Sequence, residues 1–266
     1  LCNICLPPLV AIPTTAGTGA EVTGAAVIKD TERDVKMAFV SFDLAPHVAV
    51  LDPRMTAALP PRLTASTAMD ALVHCVEAAT GRQANPLSSA YAHAAIALIR
   101  DYLPRALDDG NDTDARLALA NAALMAGVAF SNSMVGIVHA LGHACGAVAH
   151  VPHGEAMAIL LPASMEFNAE VPAVAEAYGE LLLPLAGAEV YAATAAVARP
   201  GAAIDAVRAL LRRGAEAGMP LRLLEAGVKR EQIEHIAKLA LDDGSIAFNP
   251  RGVEYPLALA ILEESL

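Results

Sequence analysis

From residue 117 to residue 154 the chain carries no Asp, Glu, Lys or Arg, and this uncharged stretch limits the folds that the chain can adopt. A run of this length is buried either in a bilayer or in a large protein core. The stretch also contains four histidines together with asparagines and serines, and a bilayer core would penalise those polar groups. We therefore predict two deeply buried helices and no membrane span.

Composition agrees with a helical protein that has a large core. The 266 residues are 55% hydrophobic and 18% charged, which argues against disorder. Alanine supplies much of the apolar content, and only 4% of the residues are aromatic. This balance favours close-packed helices over a β-sandwich.

The chain is acidic overall. The 18 basic and 29 acidic residues give a net charge of −11. Such a surface repels phosphate backbones, so nucleic acid is not an expected partner.

The four cysteines do not indicate a zinc ribbon or disulfide bonds. Cys2 and Cys5 form a single C-x-x-C without a second pair, which makes a zinc ribbon improbable. Cys75 and Cys145 fit core positions. No feature requires an oxidising compartment, and we expect a cytoplasmic protein.

The hydrophobic periodicity changes near residue 60. Before that point, β-branched segments bounded by turn residues predict strands at 9–14, 21–28, 35–40 and 48–52. From Arg62 onward the apolar spacing becomes helical. Helices are predicted from 62 and then at 85–107, 114–130, 134–149, 155–167, 171–183, 201–217, 230–241 and 255–266. The chain is thus predicted to be α+β, with a small strand-rich part at 1–60 and a large all-helical domain at 61–266.

Two pairs of candidate metal ligands occur at helical spacing. Asp70 and His74 are four residues apart, as are His139 and His143, so each pair lies on one face of a helix; His153 follows at the start of the next helix. Each residue alone has an ordinary explanation, as a hydrogen-bonded core histidine or a buried cap. However, no Lys or Arg lies close to Asp70 in sequence, and a divalent cation would balance its charge. One carboxylate and several imidazoles suit Fe(II), Zn(II), Mn(II) or Co(II).

Motifs spread over the whole chain resemble those of the iron-containing, group III alcohol dehydrogenases. They are PTTAGTGAE at 13–21, LDP at 51–53, STAMDALVH at 66–74, AGVAFSN at 126–132, GIVHALGH at 136–143 and PHGEA at 152–156. The motifs occur in the family's order and at about its spacings. The resemblance implies a dehydroquinate synthase-like architecture, in which residues 1–60 are the remnant of an α/β nucleotide-binding domain and residues 61–266 are the metal-binding domain.

The resemblance also implies roles for the histidines and the aspartate. Matched residue by residue, the family's metal ligands correspond to Asp70, His74, His139 and His153. His143 matches a histidine that lies near the nicotinamide and helps proton transfer. The alternative for His143 is that it supports a neighbouring ligand.

Cofactor contacts follow from the same resemblance. Thr14, Thr15, Gly17 and Thr18 match a segment that touches the dinucleotide in the family. Lys36 falls where the family often has a lysine near the cofactor ribose or phosphate, and it could equally be a surface lysine. A Gly/Thr turn taken alone is usually only a turn.

The reaction implied by the resemblance is hydride transfer between a small alcohol or aldehyde and NAD or NADP. The metal implied is Fe(II), with Zn(II) as the alternative, and the assembly implied is a homo-oligomer, commonly a dimer. The family's Gly-Gly-Gly-Ser-type loop for the pyrophosphate does not occur in these residues. The chain would then be the later part of a longer protein or a natural truncation. Three alternatives stay open: a non-catalytic metal-binding or oligomerising fragment, a metal-independent enzyme like maleylacetate reductase, and a zinc enzyme like glycerol dehydrogenase. The alcohol is not indicated.

Overall fold

The structure, a computed structural model, describes residues 7–30 and 35–266. Cys2 and Cys5 lie outside these residues, and so does the side chain of Lys36. In the described ranges four short strands precede ten α-helices. The predicted class, a small strand-bearing part followed by a large helical part, is confirmed.

The strands form two separate pairs. Their bounds are β1 (Val10–Ala11), β2 (Ala25–Asp30), β3 (Val35–Val40) and β4 (Val48–Ala49). β1 pairs with β4 in parallel, whereas β2 and β3 are antiparallel with Ala25 opposite Val40. Lys36 therefore lies in a hairpin strand, opposite Lys29.

The predicted strand at 21–28 is wrong at its beginning. Ala20–Val22 form a 3₁₀ turn, and β2 starts only at Ala25. The turn follows Gly19, whose φ of 61° lies in the left-handed region that glycine adopts without strain. Val22, the β-branched residue that suggested a strand here, is instead part of this tight turn.

The helices agree with the predicted periodicity to within a few residues at most ends. They are α1 (Pro61–Thr80), α2 (Pro86–Asp108), α3 (Thr113–Ser131), α4 (Ile137–Ala149), α5 (His153–Ala169), α6 (Pro172–Ala186), α7 (Ala188–Ala193), α8 (Arg199–Glu216), α9 (Ile233–Leu241) and α10 (Tyr255–Glu264). α4 begins three residues later than predicted, because Met134 has a φ of 65° and cannot belong to a right-handed helix. α7 was not predicted, since six residues are too few for a periodic signal.

α1 is the central helix of the helical part. It contacts α2, α3, α5, α6 and α8. Fifteen of its twenty residues are buried, so a polar side chain on almost any face of α1 is removed from water. Asp70, His74 and Glu77 therefore need partners inside the protein.

The uncharged stretch covers the later part of α3, the whole of α4 and the first two residues of α5. α4 buries eight of its thirteen residues, whereas residues 117–131 of α3 bury seven of fifteen. The prediction of a deeply buried helix is confirmed for α4, and α3 is about half buried. Among the described residues, no helix combines the length and the apolar content that crossing a bilayer requires.

Two glycines allow the segment before β2 to lie directly on α3. A Cβ atom added to Gly127 would lie 2.8 Å from the carbonyl oxygen of Gly19 and 2.9 Å from Cγ2 of Val22. Backbone atoms cannot move aside as a flexible side chain can. The contact therefore requires glycine at position 127, one turn before the end of α3.

We expect Gly127→Ala to destabilise the chain by about 1–3 kcal/mol, because the added methyl group overlaps the backbone of Gly19. In an unobstructed helix the same change would stabilise by about 0.5–1 kcal/mol. The sign of the effect, measured by chemical denaturation, is therefore informative. A stability equal to or above that of the parent would contradict this packing.

Candidate metal centre

Asp70 supplies the carboxylate of the candidate site from the middle of α1. Its relative exposure is 3%, and His74, one turn further along the same helix, is exposed by 5%. The helical spacing predicted that these two side chains share a face. The structure places both of them in the protein interior.

His139 and His153 approach Asp70 from two other helices. His139 lies in the first turn of α4, and His153 is the first residue of α5. The Oδ1 atom of Asp70 lies 4.0 Å from Nε2 of His139 and 3.4 Å from Nε2 of His153. One ligand atom from each of these three residues lies within 4.8 Å of the others, a spacing that one metal ion can bridge.

His74 lies beside this cluster. Its ring centroid is 4.6 Å from that of His139, and its other neighbour is Phe130, whose ring stacks on it at 4.4 Å. His74 is not within the tightest group of ligand atoms. The structure thus brings Asp70, His139 and His153 together, and it places the fourth predicted ligand, His74, next to His139.

The buried polar atoms of the cluster lack hydrogen-bond partners. Asp70 Oδ1, His74 Nδ1 and His139 Nε2 are each removed from solvent, and none of them makes a hydrogen bond of acceptable geometry. Leaving such groups unpaired costs about 1–3 kcal/mol each. A divalent cation accepts lone pairs from carboxylate oxygen and imidazole nitrogen, so this donor set fits a metal ion.

The electrostatics of the cluster also suit a cation. Burial raises the pKa of Asp70, but attraction to His74, His153 and His139 outweighs burial, and the net pKa lies below its usual range. Burial lowers the pKa of His74 to about 3. The site therefore presents an ionised carboxylate and a neutral imidazole at neutral pH, which are the forms that bind metal.

His143 lies at the edge of the cluster and is partly exposed. Its ring stacks on that of His153 at 5.4 Å and lies edge-on to His139 at 5.8 Å. Its Nδ1 atom donates to Oδ2 of Asp243 at 2.8 Å. Burial raises the pKa of Asp243, but hydrogen bonds from His143 and Ser245 outweigh it and leave the pKa well below the usual range.

Two acidic residues of the site escaped the sequence reasoning. Glu77 contacts His139, and it stands seven residues after Asp70, so the same helical face carried a signal for it. Asp243 contacts His143 across 100 residues of sequence, and no local pattern could indicate that contact.

The predicted dinucleotide segment lies against the first half of α1. Gly17 is buried, and a Cβ atom there would lie 2.8 Å from the carbonyl oxygen of Thr67, three residues before Asp70. Thr14 and Thr18 are exposed, and Thr15 is half-buried. Gly17 therefore has a packing role of its own, and contact of this segment with a dinucleotide stays a prediction.

Two sequence profiles of one protein family together match most of the chain. The sequence profile of the Fe-containing alcohol dehydrogenase family, C-terminal, matches residues 64–266, and that of iron-containing alcohol dehydrogenase matches residues 3–53.

The individual proteins to which the chain is similar are named as alcohol or methanol dehydrogenases. The chain is 41% identical over 249 residues to the NAD-dependent methanol dehydrogenase of Bacillus methanolicus, covering 92% of this chain and 62% of that protein. It is 38% identical over 258 residues to alcohol dehydrogenase 4 of Saccharomyces cerevisiae, covering 97% and 65%. The chain thus spans somewhat less than two thirds of the length of these relatives.

The fold agrees with solved structures. The crystal structure of a 1,3-propanediol oxidoreductase superposes with a TM-score of 0.93 at 37% sequence identity, covering 100% of this chain and 68% of that one.

Proposed function

Since the chain belongs to the iron-containing alcohol dehydrogenase family, we propose that it carries the metal site of an NAD(P)-linked enzyme that interconverts a small alcohol and its aldehyde. The observation that carries this proposal is the set of buried, unpartnered donor atoms on α1 and α4, with His153 beside them. The names of the relatives support alcohols as the substrate class.

Asp70, His74, His139 and His153 would hold the metal. When bound there, a divalent cation such as Fe(II) acts as a Lewis acid toward an alcohol or carbonyl oxygen. The four residues come from three helices, of which α5 packs on both α1 and α4, so the donor set is fixed by the core rather than by a loop. Zn(II) suits the same donors, and the choice between the two metals belongs to experiment.

His143 would move the proton that accompanies the oxidation or reduction. Asp243 accepts from Nδ1 of His143, which leaves Nε2 as the nitrogen that takes up or gives off a proton. Because His143 stands against His153 and is partly exposed, it lies between the buried donors and solvent. A proton could therefore leave the site through this side chain.

The dinucleotide would approach from the side of the segment at 14–18. Thr14 and Thr18 expose their side chains, and the segment lies on α1 within one turn of Asp70. The relative from Bacillus methanolicus is NAD-dependent, which supports a nicotinamide cofactor without deciding between NAD and NADP here. Lys36 is the further candidate for a ribose or phosphate contact.

We expect His143→Ala to lower turnover by about 10²–10⁴-fold, the usual contribution of a positioned acid–base group, and to leave metal content unchanged. The measurement is aldehyde-dependent oxidation of NADH or NADPH by metal-loaded protein, with the metal quantified on the same sample. His235→Ala is the matched control, because His235 is an exposed histidine on α9. Full turnover in His143→Ala would remove His143 from the mechanism.

A second candidate function is metal binding without catalysis. The donor set supports it as well, because a buried carboxylate with several imidazoles can bind a metal ion whether or not a dinucleotide binds. The same assay distinguishes the two candidates, because this alternative predicts bound metal with no turnover of the parent chain. A metal-independent enzyme is disfavoured by the intact donor set.

A further inference from the structure

Glu77 is a buried carboxylate that joins α1 to the start of α4. Its Oε2 atom lies 2.6 Å from Nδ1 of His139, and its Oε1 atom accepts from the backbone N–H of Val138 at 2.8 Å. Glu77 is exposed by only 7%, and α1 places it one turn beyond His74. Both carboxylate oxygens are therefore committed to α4.

We propose that Glu77 is a positioning residue for the metal centre, which fixes the ring of His139 and the tautomer in which Nε2 is free to bind a cation. The inference rests on the proposed function, because it requires that His139 is a metal ligand. It adds to that function a residue that touches neither metal nor substrate.

The geometry of His139 explains how Glu77 could act. An imidazole ring in its neutral form carries one proton, and the hydrogen bond made by one nitrogen decides the state of the other. A proton on Nδ1 is donated to Glu77, which leaves a lone pair on Nε2. Nε2 faces Asp70 at 4.0 Å and has no hydrogen-bond partner.

Glu77 also fixes the helix that carries His139. The residue at the N-cap of α4 is Gly136, which has no side chain to satisfy the first N–H groups. Two distant residues do so instead: Glu77 accepts from Val138, and Oδ1 of Asn249 accepts from Ile137 at 3.3 Å. The capping role of Glu77 must be separated from its effect on the ring.

Glu77→Gln makes that separation. A backbone N–H can only donate, so the amide oxygen of the glutamine must face Val138, and its NH₂ group then faces Nδ1 of His139. Nδ1 is forced to accept, and the ring proton moves to Nε2, where it blocks metal binding. The cap on α4 is kept while the tautomer of His139 is reversed.

We expect Glu77→Gln to weaken Zn²⁺ binding by about 10- to 100-fold, measured by competition with a chromophoric chelator. Asn249→Ala is the control, because it removes the other cap of α4 without touching the ring of His139. We expect this control to lower stability and to change the Zn²⁺ affinity by no more than about threefold.

The tautomer of His139 is read independently from the ¹⁵N chemical shifts of its ring in the metal-free parent chain. A proton on Nδ1 is expected, and a proton on Nε2 alone would overturn the inference even if Glu77→Gln failed to fold. Unchanged Zn²⁺ affinity in Glu77→Gln, or an equal loss in Asn249→Ala, would also overturn it. A parent chain that binds no Zn²⁺ would refute the proposed metal centre itself, and the positioning role with it.

Discussion

Replacing Asp70 with Asn should weaken the binding of a divalent metal by on the order of 100-fold. Asp70 is the only carboxylate among the proposed ligands, and its Oδ1 atom faces both His139 and His153. If about 10–16 kcal/mol of binding free energy is spread over four ligands, each contributes about 3 kcal/mol, and the loss of one is about two orders of magnitude in affinity. Competition titration with Zn²⁺ measures the change.

The metal-free form of Asp70→Asn should unfold at a lower denaturant concentration than the metal-free parent. The reason is that the fold lowers the pKa of Asp70, so its ionised carboxylate stabilises the folded chain at neutral pH, and a neutral amide of equal size does not. Asp205→Asn is the matched control, because Asp205 is an exposed residue on α8 that pairs with Arg208. A parent-like Zn²⁺ affinity in Asp70→Asn would exclude Asp70 as a ligand.

Gly154→Ala should both destabilise the chain and weaken metal binding. A Cβ atom at Gly154 would lie 2.4 Å from the carbonyl oxygen of Ser66, one turn before Asp70 on α1. To reach an ordinary van der Waals separation, the start of α5 must move from α1 by roughly 1 Å. His153 stands at that start and would move away from Asp70.

The expected magnitudes follow from the size of this overlap. Overpacking of this kind costs about 1–3 kcal/mol of stability. Metal–ligand distances tolerate only about 0.2 Å, so a displaced His153 should lower the Zn²⁺ affinity by on the order of 10- to 100-fold. Chemical denaturation and competition titration on the same preparation give the two values.

Gly201→Ala is the control for the glycine substitution. Gly201 is exposed in α8, and a Cβ atom added there meets no atom within 4 Å. That change should stabilise the chain by about 0.5–1 kcal/mol and leave the metal affinity as it is. If Gly154→Ala behaved in the same way as Gly201→Ala, the close packing of α5 on α1 would be wrong.

The helical part of the chain could be predicted from the sequence because its signals are local. The i, i+4 spacing put Asp70 beside His74, and the uncharged stretch indicated that α4 is buried. Helix ends were less accurate. The start of α4 depends on the left-handed conformation of Met134, which no hydrophobic pattern reports.

The contacts of Asp243 and Glu77 with the histidines of the site depend on tertiary packing and could not be predicted from local patterns. Asp243 reaches His143 because the segment after α9 passes beside α4, and that arrangement depends on tertiary packing rather than on nearby sequence. The helical spacing could have predicted that Glu77 lies near the site, since Asp70, His74 and Glu77 share one face of α1. What the sequence did not reveal is that Glu77 faces His139 instead of solvent.

In the strand-bearing part, the roles of the glycines could not be predicted from local sequence patterns. The turn that begins at Gly19 and the packing of Gly17 on Thr67 both require glycine for tertiary reasons. From sequence alone Gly17 was assigned to cofactor binding, with an ordinary turn as the alternative. The structure adds a reason for glycine at Gly17 that is independent of any dinucleotide.

The most direct test of the central claim is the metal content of the chain after anaerobic purification, measured by elemental analysis of the parent and of Asp70→Asn side by side. The proposed metal centre predicts about one metal ion per parent chain, with iron as the expected element, and a strongly reduced content in the variant. A parent chain that holds no metal even after incubation with Fe(II) or Zn(II), or a variant that holds as much as the parent, would contradict it.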